Sequence, residues 1–397
     1  MGLRFREILL IIAVSLAFRA GFVLPALVRH SVALGPPHLD THEYYALAQS
    51  ITRGLYEIGG VDWILRPPGY PAFLAAVNIT FGADPRFAVA LQVILGILIA
   101  ILVAFWASET SGRTAGLAAG LFAGLAPVTG LLSGFLLAEA VFTSAVALGL
   151  FFFRKRPALS GFLLGLSALV KPTGIYPAVV AAGYHAVRKD WTRAGLLAIA
   201  FLVPVLPWLA RNKIVNGKAI LSTQHEATVF LYSAPYTMMQ ETGIGYEEAL
   251  VNLGDTLGCE DLEAAPLDPG LAGELSRRGV AYMLRHPAAY AAAHLKGFVK
   301  GFYGLGREFT TMIWPNPLAT RIIVIMSWLY ALVVYILAIR GFLRLRGEGF
   351  ALAITVFLLL FLPGADGSFR FRAPAEPILA LAAGIGLASL IGKFRRP

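Results

Sequence analysis

Apolar residues dominate the chain in long runs, separated by short clusters of Arg, Lys, Gly and Pro. The runs fall at about 8 to 28, 87 to 107, 114 to 132, 137 to 153, 158 to 170, 174 to 187, 194 to 210, 320 to 340, 348 to 363 and 376 to 391, which predicts ten membrane-spanning helices. Runs near 20 residues suit a hydrocarbon core of roughly 30 Å, and a helix satisfies its own backbone there. The strands of an outer-membrane barrel would alternate apolar and polar residues instead. Pro172 separates two of the runs beside Lys171 and leaves their exact ends open. The apolar stretch Ala72 to Gly82 is too short to cross and is predicted as a re-entrant or interface-lying helix.

The first run follows Arg4 and Arg6 but carries Arg19 inside it and is longer than a signal core, so it is predicted to be a retained helix. Composition agrees with the membrane class: of 397 residues, 57% are hydrophobic and only 14% charged. The formal charge of +10 sits beside the apolar runs, where it sets topology and meets anionic headgroups. No RNA- or DNA-binding motif accompanies it, which argues against nucleic-acid binding. A single cysteine, Cys259, excludes an internal disulfide and a thiolate metal site.

Short basic clusters orient the chain. Arg4 and Arg6, Arg113, Arg154 to Arg156, Arg188 with Lys189, Arg340 to Arg346, and Lys393 with Arg395 and Arg396 all fall on one side if the ten spans hold. That side is expected to be cytoplasmic. The other side then receives residues 30 to 86, residues 211 to 319 and the loop from Asp366 to Arg372. The expected division is a transmembrane catalytic module over 1–210, an outer-face loop or small helical subdomain over 211–319, and C-terminal transmembrane helices over 320–397. No internal repeat is evident, so sequence symmetry gives no support to a transporter of the inverted-repeat kind.

The outer segments hold the candidate chemistry. Asp40 could serve as a base taking an acceptor's proton, or cap the helix over Tyr44 to Ile51, and the two roles are compatible. His42 and Glu43 lie beside it, a weak metal-ligand pair. In the run Arg66 to Pro71, three prolines predict a rigid turn, freed by Gly69, that positions Arg66 and Tyr70. Arg66 could fork onto a phosphate or snorkel to the interface. Glu139 opens a span on the same side, where a carboxylate is costly without a partner or a task. Lys171 ends another span there and could neutralise a phosphate or pair with Glu139. Arg370 and Arg372, alternating with Phe369 and Phe371, stand where the positive-inside preference least expects them and suit a lipid phosphate with its apolar chain. No phosphate-cradling glycine loop, zinc-protease helix or nucleophile elbow is present.

The order of these features resembles the GT-C superfamily of integral-membrane glycosyltransferases, especially the bacterial relatives of protein O-mannosyltransferases and of the aminoarabinose transferase that modifies lipid A. Asp40 with Tyr44 looks like the family's first-loop acidic motif, Arg66 to Pro71 like its proline turn, and Glu139 like its second acidic position. Lys171-Pro172 and the run from Arg372 to Pro377 are similar in their places. The similarity covers residues 1 to 187 and returns at 366 to 391. It implies an all-α polytopic membrane protein, a GT-C-like bundle of about ten transmembrane helices with outer-face juxtamembrane helices, in the plasma or inner membrane. It further implies a polyprenyl-phosphate-sugar donor, inversion at the anomeric carbon, Asp40 as base, Glu139 as second acid, and a donor held by residues such as Lys171, Arg370 and Arg372. Glu43, Tyr44, Arg66 and Tyr70 are expected to help bind substrate. The acceptor would be a glycan, lipid or protein. Many relatives carry a second acid directly after the first, where this chain has Thr41. The expectation is therefore no obligatory metal, with room left for a divalent ion. Two other readings stand beside this one: a lipid or polysaccharide transporter, and a noncatalytic lipid-binding partner of another enzyme.

Overall fold

The computed structural model describes residues 2–28, 40–259, 262 and 264–394. The first part of the predicted outer loop over 30–86, residues 30–39, and the basic residues Arg395 and Arg396 lie outside the described residues. The chain runs through α1 (Phe5–Val28), α2 (Thr41–Ile51), a small hairpin of β1 (Glu57–Ile58) and β2 (Val61–Asp62), α3 (Gly69–Phe81), α4 (Pro85–Ser111), α5 (Arg113–Gly124) and α6 (Pro127–Leu132). It continues with α7 (Glu139–Phe152), α8 (Pro157–Val170), α9 (Ile175–Val187) and α10 (Trp191–Asn216). Short helices α11 (Gln224–Ala227), α12 (Ala234–Thr242), α13 (Tyr246–Leu257), α14 (Pro269–Arg285), α15 (Pro287–Gly301) and α16 (Arg307–Ile313) follow. Three more helices, α17 (Pro317–Arg344), α18 (Arg346–Phe361) and α19 (Glu376–Phe394), follow. This is an all-α polytopic membrane protein.

Among the described residues five helical segments are long and apolar enough to cross a membrane: Phe5–Val28, Pro85–Ser111, Trp191–Asn216, Pro317–Arg344 and Phe369–Gly392. Shorter apolar helices accompany them, at Gly69–Phe81, Glu139–Phe152, Pro157–Val170 and Gly347–Phe361. The apolar run at 114–132, read as one span, is instead two helices, because Pro127 cannot donate to the preceding turn and begins α6 at its first position. The proline turn also ends sooner than expected. Pro71 lies in the first turn of α3, where a missing N–H costs nothing. Gly69 serves close approach rather than backbone freedom: a Cβ there would lie 2.7 Å from the Leu169 carbonyl oxygen at the end of α8.

The short helices explain how polar side chains reach the interior. α7 and α8 have 14 residues each, about 21 Å of helix, well under a full hydrocarbon thickness. α8 is drawn against α10 because Gly161 and Gly165 leave no side chain where the Leu197 and Phe201 carbonyls approach. α17 and α19 meet in the same way at Gly341 and Gly386.

The turns near residues 7, 111, 154 and 348 gather at one end of the bundle, tied by Glu7 to Arg113 at 2.6 Å, Glu109 to Lys155 at 2.6 Å, and Arg154 to Glu348. Four predicted basic clusters thus share one end. The opposite end carries the segments 40–68, 171–174 and 364–375, and against it lies the helical segment 217–316. That segment has its own apolar centre, including Phe230, Leu253, Leu257 and Leu275.

Candidate active site

Asp40 stands at the N-cap position of α2, yet its side chain makes no capping hydrogen bond. The carboxylate turns instead to two guanidinium groups, with Oδ1 2.9 Å from Arg66 Nη2 and Oδ2 3.1 Å from Arg370 Nη2. Arg66 is held on both flanks. Pro67 and Pro68 follow it into α3, and Tyr56 donates its hydroxyl to the Arg66 carbonyl at 2.8 Å. Its Nε then donates to Glu43 Oε2 at 2.6 Å, and Glu43 lies one turn along α2 from Asp40. The guanidinium carbon sits 5.7 Å from the centroid of the Tyr44 ring, a favourable cation–π placement.

Tyr44 meets Tyr70 edge to face, with centroids 4.9 Å apart. Tyr70 is fully buried, and its hydroxyl donates to Gln92 Oε1 at 2.8 Å. Gln92 in turn donates to the carbonyls of Ser133 and Phe135. This chain of contacts fixes α2 and α3 against α4 and the turn before α7. Tyr44 and Tyr70 thereby position the acidic loop from beneath.

Glu139, only 2% exposed, completes the set. Its Oε1 accepts from Lys171 Nζ at 2.9 Å and from Arg370 Nε at 3.0 Å. Three carboxylates and three cations from distant parts of the chain therefore form one continuous chain: Glu43, Arg66, Asp40, Arg370, Glu139 and Lys171. Such a set is close to neutral, and each charge is offset by a neighbour, as buried charges require. Burial alone would raise the Asp40 pKa, but the charges of Arg66, Arg370 and Lys171 outweigh it and hold the carboxyl well below its usual range.

Arg372 is not brought into this network. It is buried and donates to the carbonyls of Phe302 and Tyr303 and to the Tyr335 hydroxyl, and its Nε lies 3.4 Å from Glu376 Oε1. The 3-10 conformation of Phe369–Ala375 explains the split. With three residues per turn, positions two apart point about 240° around the axis from each other, so Arg370 and Arg372 face different neighbours. His42 is exposed, away from the ion pairs.

A cavity of about 150 Å³ opens on the network, lined there by Asp40, Arg66, Lys171 and Arg370. The rest of its wall includes Gln224, Thr228 and Tyr232 from the segment beyond α10, together with Asp366 and Ser368. A neighbouring cavity of about 100 Å³ shares Lys171, Gln224, Thr228, Asp366 and Phe371, and adds the apolar Pro172, Leu362 and Pro363. Asp366 went unselected among the sequence candidates; its signal was an acid four residues before Arg370 in the same loop. Burial pushes its carboxyl up to about 7 despite the nearby Arg370.

Among the described residues no group of three or more His, Cys, Asp or Glu is arranged to hold a metal ion. The acids that a divalent ion would use, Asp40, Glu43 and Glu139, already face guanidinium or ammonium groups.

No protein-family profile and no curated protein matches the sequence. Solved structures do match. The Archaeoglobus fulgidus oligosaccharyltransferase in complex with Zn and sulfate aligns with a TM-score of 0.56 at 17% identity, over 98% of this chain and 49% of that one. The same organism's AglB, in complex with an inhibitory peptide and a dolichol-phosphate, aligns with a TM-score of 0.54 at 15% identity, over 98% and 50%. ArnT from Cupriavidus metallidurans, bound to undecaprenyl phosphate, aligns at 15% identity over 96% and 77%, with a TM-score of 0.47. The chain spans about half the length of the oligosaccharyltransferases it matches.

Proposed function

We propose that this chain, whose fold is that of the GT-C membrane glycosyltransferases, transfers a sugar from a polyprenyl-phosphate donor to an acceptor on the non-cytoplasmic face of the membrane. The observation that carries the reading is the convergence of Arg66, Lys171 and Arg370 with Asp40 and Glu139 on one cavity at one end of the bundle. Charged groups are costly at this depth unless a task or a partner holds them. A lipid phosphate supplies that task for the cations, and the oligosaccharyltransferase that shares the fold has been solved with a dolichol-phosphate. The end that carries the cavity is opposite the basic turns, which supports placing it outside the cytoplasm.

In this reading the phosphate settles on Lys171 and Arg370, and the prenyl chain leaves past the apolar Pro172, Leu362 and Pro363. A phosphate on Arg370 competes with Asp40 for the guanidinium, so donor binding loosens one of the two ion pairs that quench Asp40 as a base. The acceptor's hydroxyl proton passes to Asp40 while the acceptor oxygen bonds to the anomeric carbon. The bond from that carbon to the phosphate oxygen breaks, and its electron pair leaves with polyprenyl phosphate, with inversion. Glu139 keeps Lys171 and Arg370 in place. No step is assigned to a metal.

The test is incubation of the purified, reconstituted protein with a panel of polyprenyl-phosphate sugars, followed by mass spectrometry of the products. Wild type should yield polyprenyl phosphate and a new glycosidic bond, and Asp40→Asn should lower turnover at least a hundredfold. Unchanged turnover in that variant would remove the base; label that crosses the bilayer without a new bond would mark a transporter.

A further inference from the structure

Asp366 stands apart from every other charged side chain that lines the main cavity. Asp40, Arg66, Lys171 and Arg370 all hold ion pairs, whereas the Asp366 side chain makes no direct ion pair or hydrogen bond among the described residues, although the charges of Arg370, Lys171 and Lys300 reach it. It is also shared by both cavities. Beside it the wall changes character: Gln224, Thr228, Tyr232 and Ser368 offer neutral donors and acceptors where the other side offers fixed charge.

A lone carboxylate of this kind binds either a cation or a hydroxyl donor. The ion-paired set across the cavity is close to neutral, so the neighbouring side chains decide between them: Gln224, Thr228, Tyr232 and Ser368 add no second negative charge for a cation but do offer further hydrogen-bonding partners to a hydroxylated ligand. A neutral hydroxyl gains a charge-assisted hydrogen bond from the carboxylate. Amide and hydroxyl side chains around the carboxylate match a ligand with several hydroxyl groups.

We infer that Asp366, Gln224, Thr228, Tyr232 and Ser368 form the acceptor subsite, and that it takes a neutral, polyhydroxylated acceptor such as the sugar of a glycolipid, with Asp366 accepting a hydrogen bond from one of its hydroxyls. The assignment rests on the transferase reading above and narrows it: the donor occupies the ion-paired side, the acceptor the uncharged side. Burial raises the Asp366 carboxyl against the pull of Arg370, Lys171 and Lys300, which agrees with a carboxyl that no cation pairs directly.

The position of Asp366 is set from outside the bundle. The Gly364–Asp366 turn lies against α15, where Gly297 meets the carbonyls of Gly364 and Ala365 and Gly367 meets the Gly297 carbonyl with no side chain between them. The acceptor carboxylate is thus held by the helical segment that also supplies Gln224, Thr228 and Tyr232.

The experiment uses the full chain in nanodiscs with radiolabelled polyprenyl-phosphate sugars and three acceptor probes: octyl glucoside below its micellar concentration, an N-acylated peptide carrying Ser, Thr and Asn, and octylamine. Release of free sugar to water reads the donor side alone. Asp366→Asn and Tyr232→Phe should each raise the KM for octyl glucoside, the first at least tenfold and by a far larger factor than it changes the donor's KM, while sugar is still released to water. Labelling of the peptide or the amine in place of the glycoside, or of none of the three while water is still attacked, would overturn the assignment. So would a donor KM that rises as much as the acceptor's in Asp366→Asn. If no donor in the panel yields either product or free sugar, the transferase reading falls and takes the subsite with it.

Discussion

One guanidinium, that of Arg370, joins Asp40 to Glu139: Nη2 lies 3.1 Å from Asp40 Oδ2 and 2.9 Å from Glu139 Oε1. The loop before the last helix thereby closes a contact with the first loop and with the start of α7. Arg370→Ala should leave two carboxylates short of a counter-charge, and loss of one partner from a buried pair costs about 3–5 kcal/mol. A melting temperature several degrees below wild type is expected in detergent. Arg370→Lys keeps the charge but cannot fork to both acids, and should fall between the two. Equal melting temperatures for wild type and Arg370→Ala would show that the bridge contributes nothing.

The pH dependence has a defined sign. Asp366 carries a carboxyl raised to about 7, so it is protonated in the folded protein at pH values where an unfolded Asp is ionised. Its contribution to stability therefore falls as pH rises from the ordinary carboxyl range to about 7 and is level above that. Acceptor binding runs the other way, because only the ionised form gives a charge-assisted bond. The acceptor KM should rise as pH drops below about 7, and Asp366→Asn should flatten that limb. A limb unchanged in the variant would assign the titration to another group.

A pair of glycines separates close packing from ordinary helix propensity. A Cβ on Gly297 would overlap the Gly364 carbonyl, whereas a Cβ on Gly183 meets nothing within 4 Å. Gly297→Ala should destabilise by about 1–3 kcal/mol through overpacking and raise the acceptor KM by moving Asp366. Gly183→Ala should gain up to about 1 kcal/mol from helix propensity and leave kinetics alone. Equal effects in thermal unfolding would argue against the contact between α15 and the 364–366 turn.

Arg372 supplies a contrast with Arg370. Its donors serve two carbonyls, the Tyr335 hydroxyl and Glu376, so Arg372→Met should lower the melting temperature with no change in donor KM. A donor KM that rises in step with that of Arg370→Lys would return Arg372 to the site.

Sequence pattern disclosed the membrane class, the basic turns at one end and most of the polar groups now seen together. Asp40, Arg66, Glu139, Lys171 and Arg370 could be singled out because charge beside a long apolar run is conspicuous. What pattern could not disclose was direction. Arg370 and Arg372 look equivalent in the alternation with Phe369 and Phe371, and only the 3-10 turn sends them to different partners. The break before α6 was hidden because Pro127 lies within an unbroken apolar run. Asp366 was hidden for the opposite reason: a lone acid in a polar loop is unremarkable until burial removes its water and no cation pairs with it directly.

The sharing of Glu139 between two cations also has a consequence for biosynthesis. Lys171 follows Glu139 by 32 positions, whereas Arg370 follows it by 231. At about 5–20 residues per second, the second partner emerges roughly 10–50 s after the acid. The pair α7 and α8 can therefore enter the bilayer with its own counter-ion, a self-neutralised hairpin, while Asp40, already beside Arg66, gains Arg370 only once the loop before α19 has been made. Translation order thus makes the closed charge chain a late event, completed only with that loop.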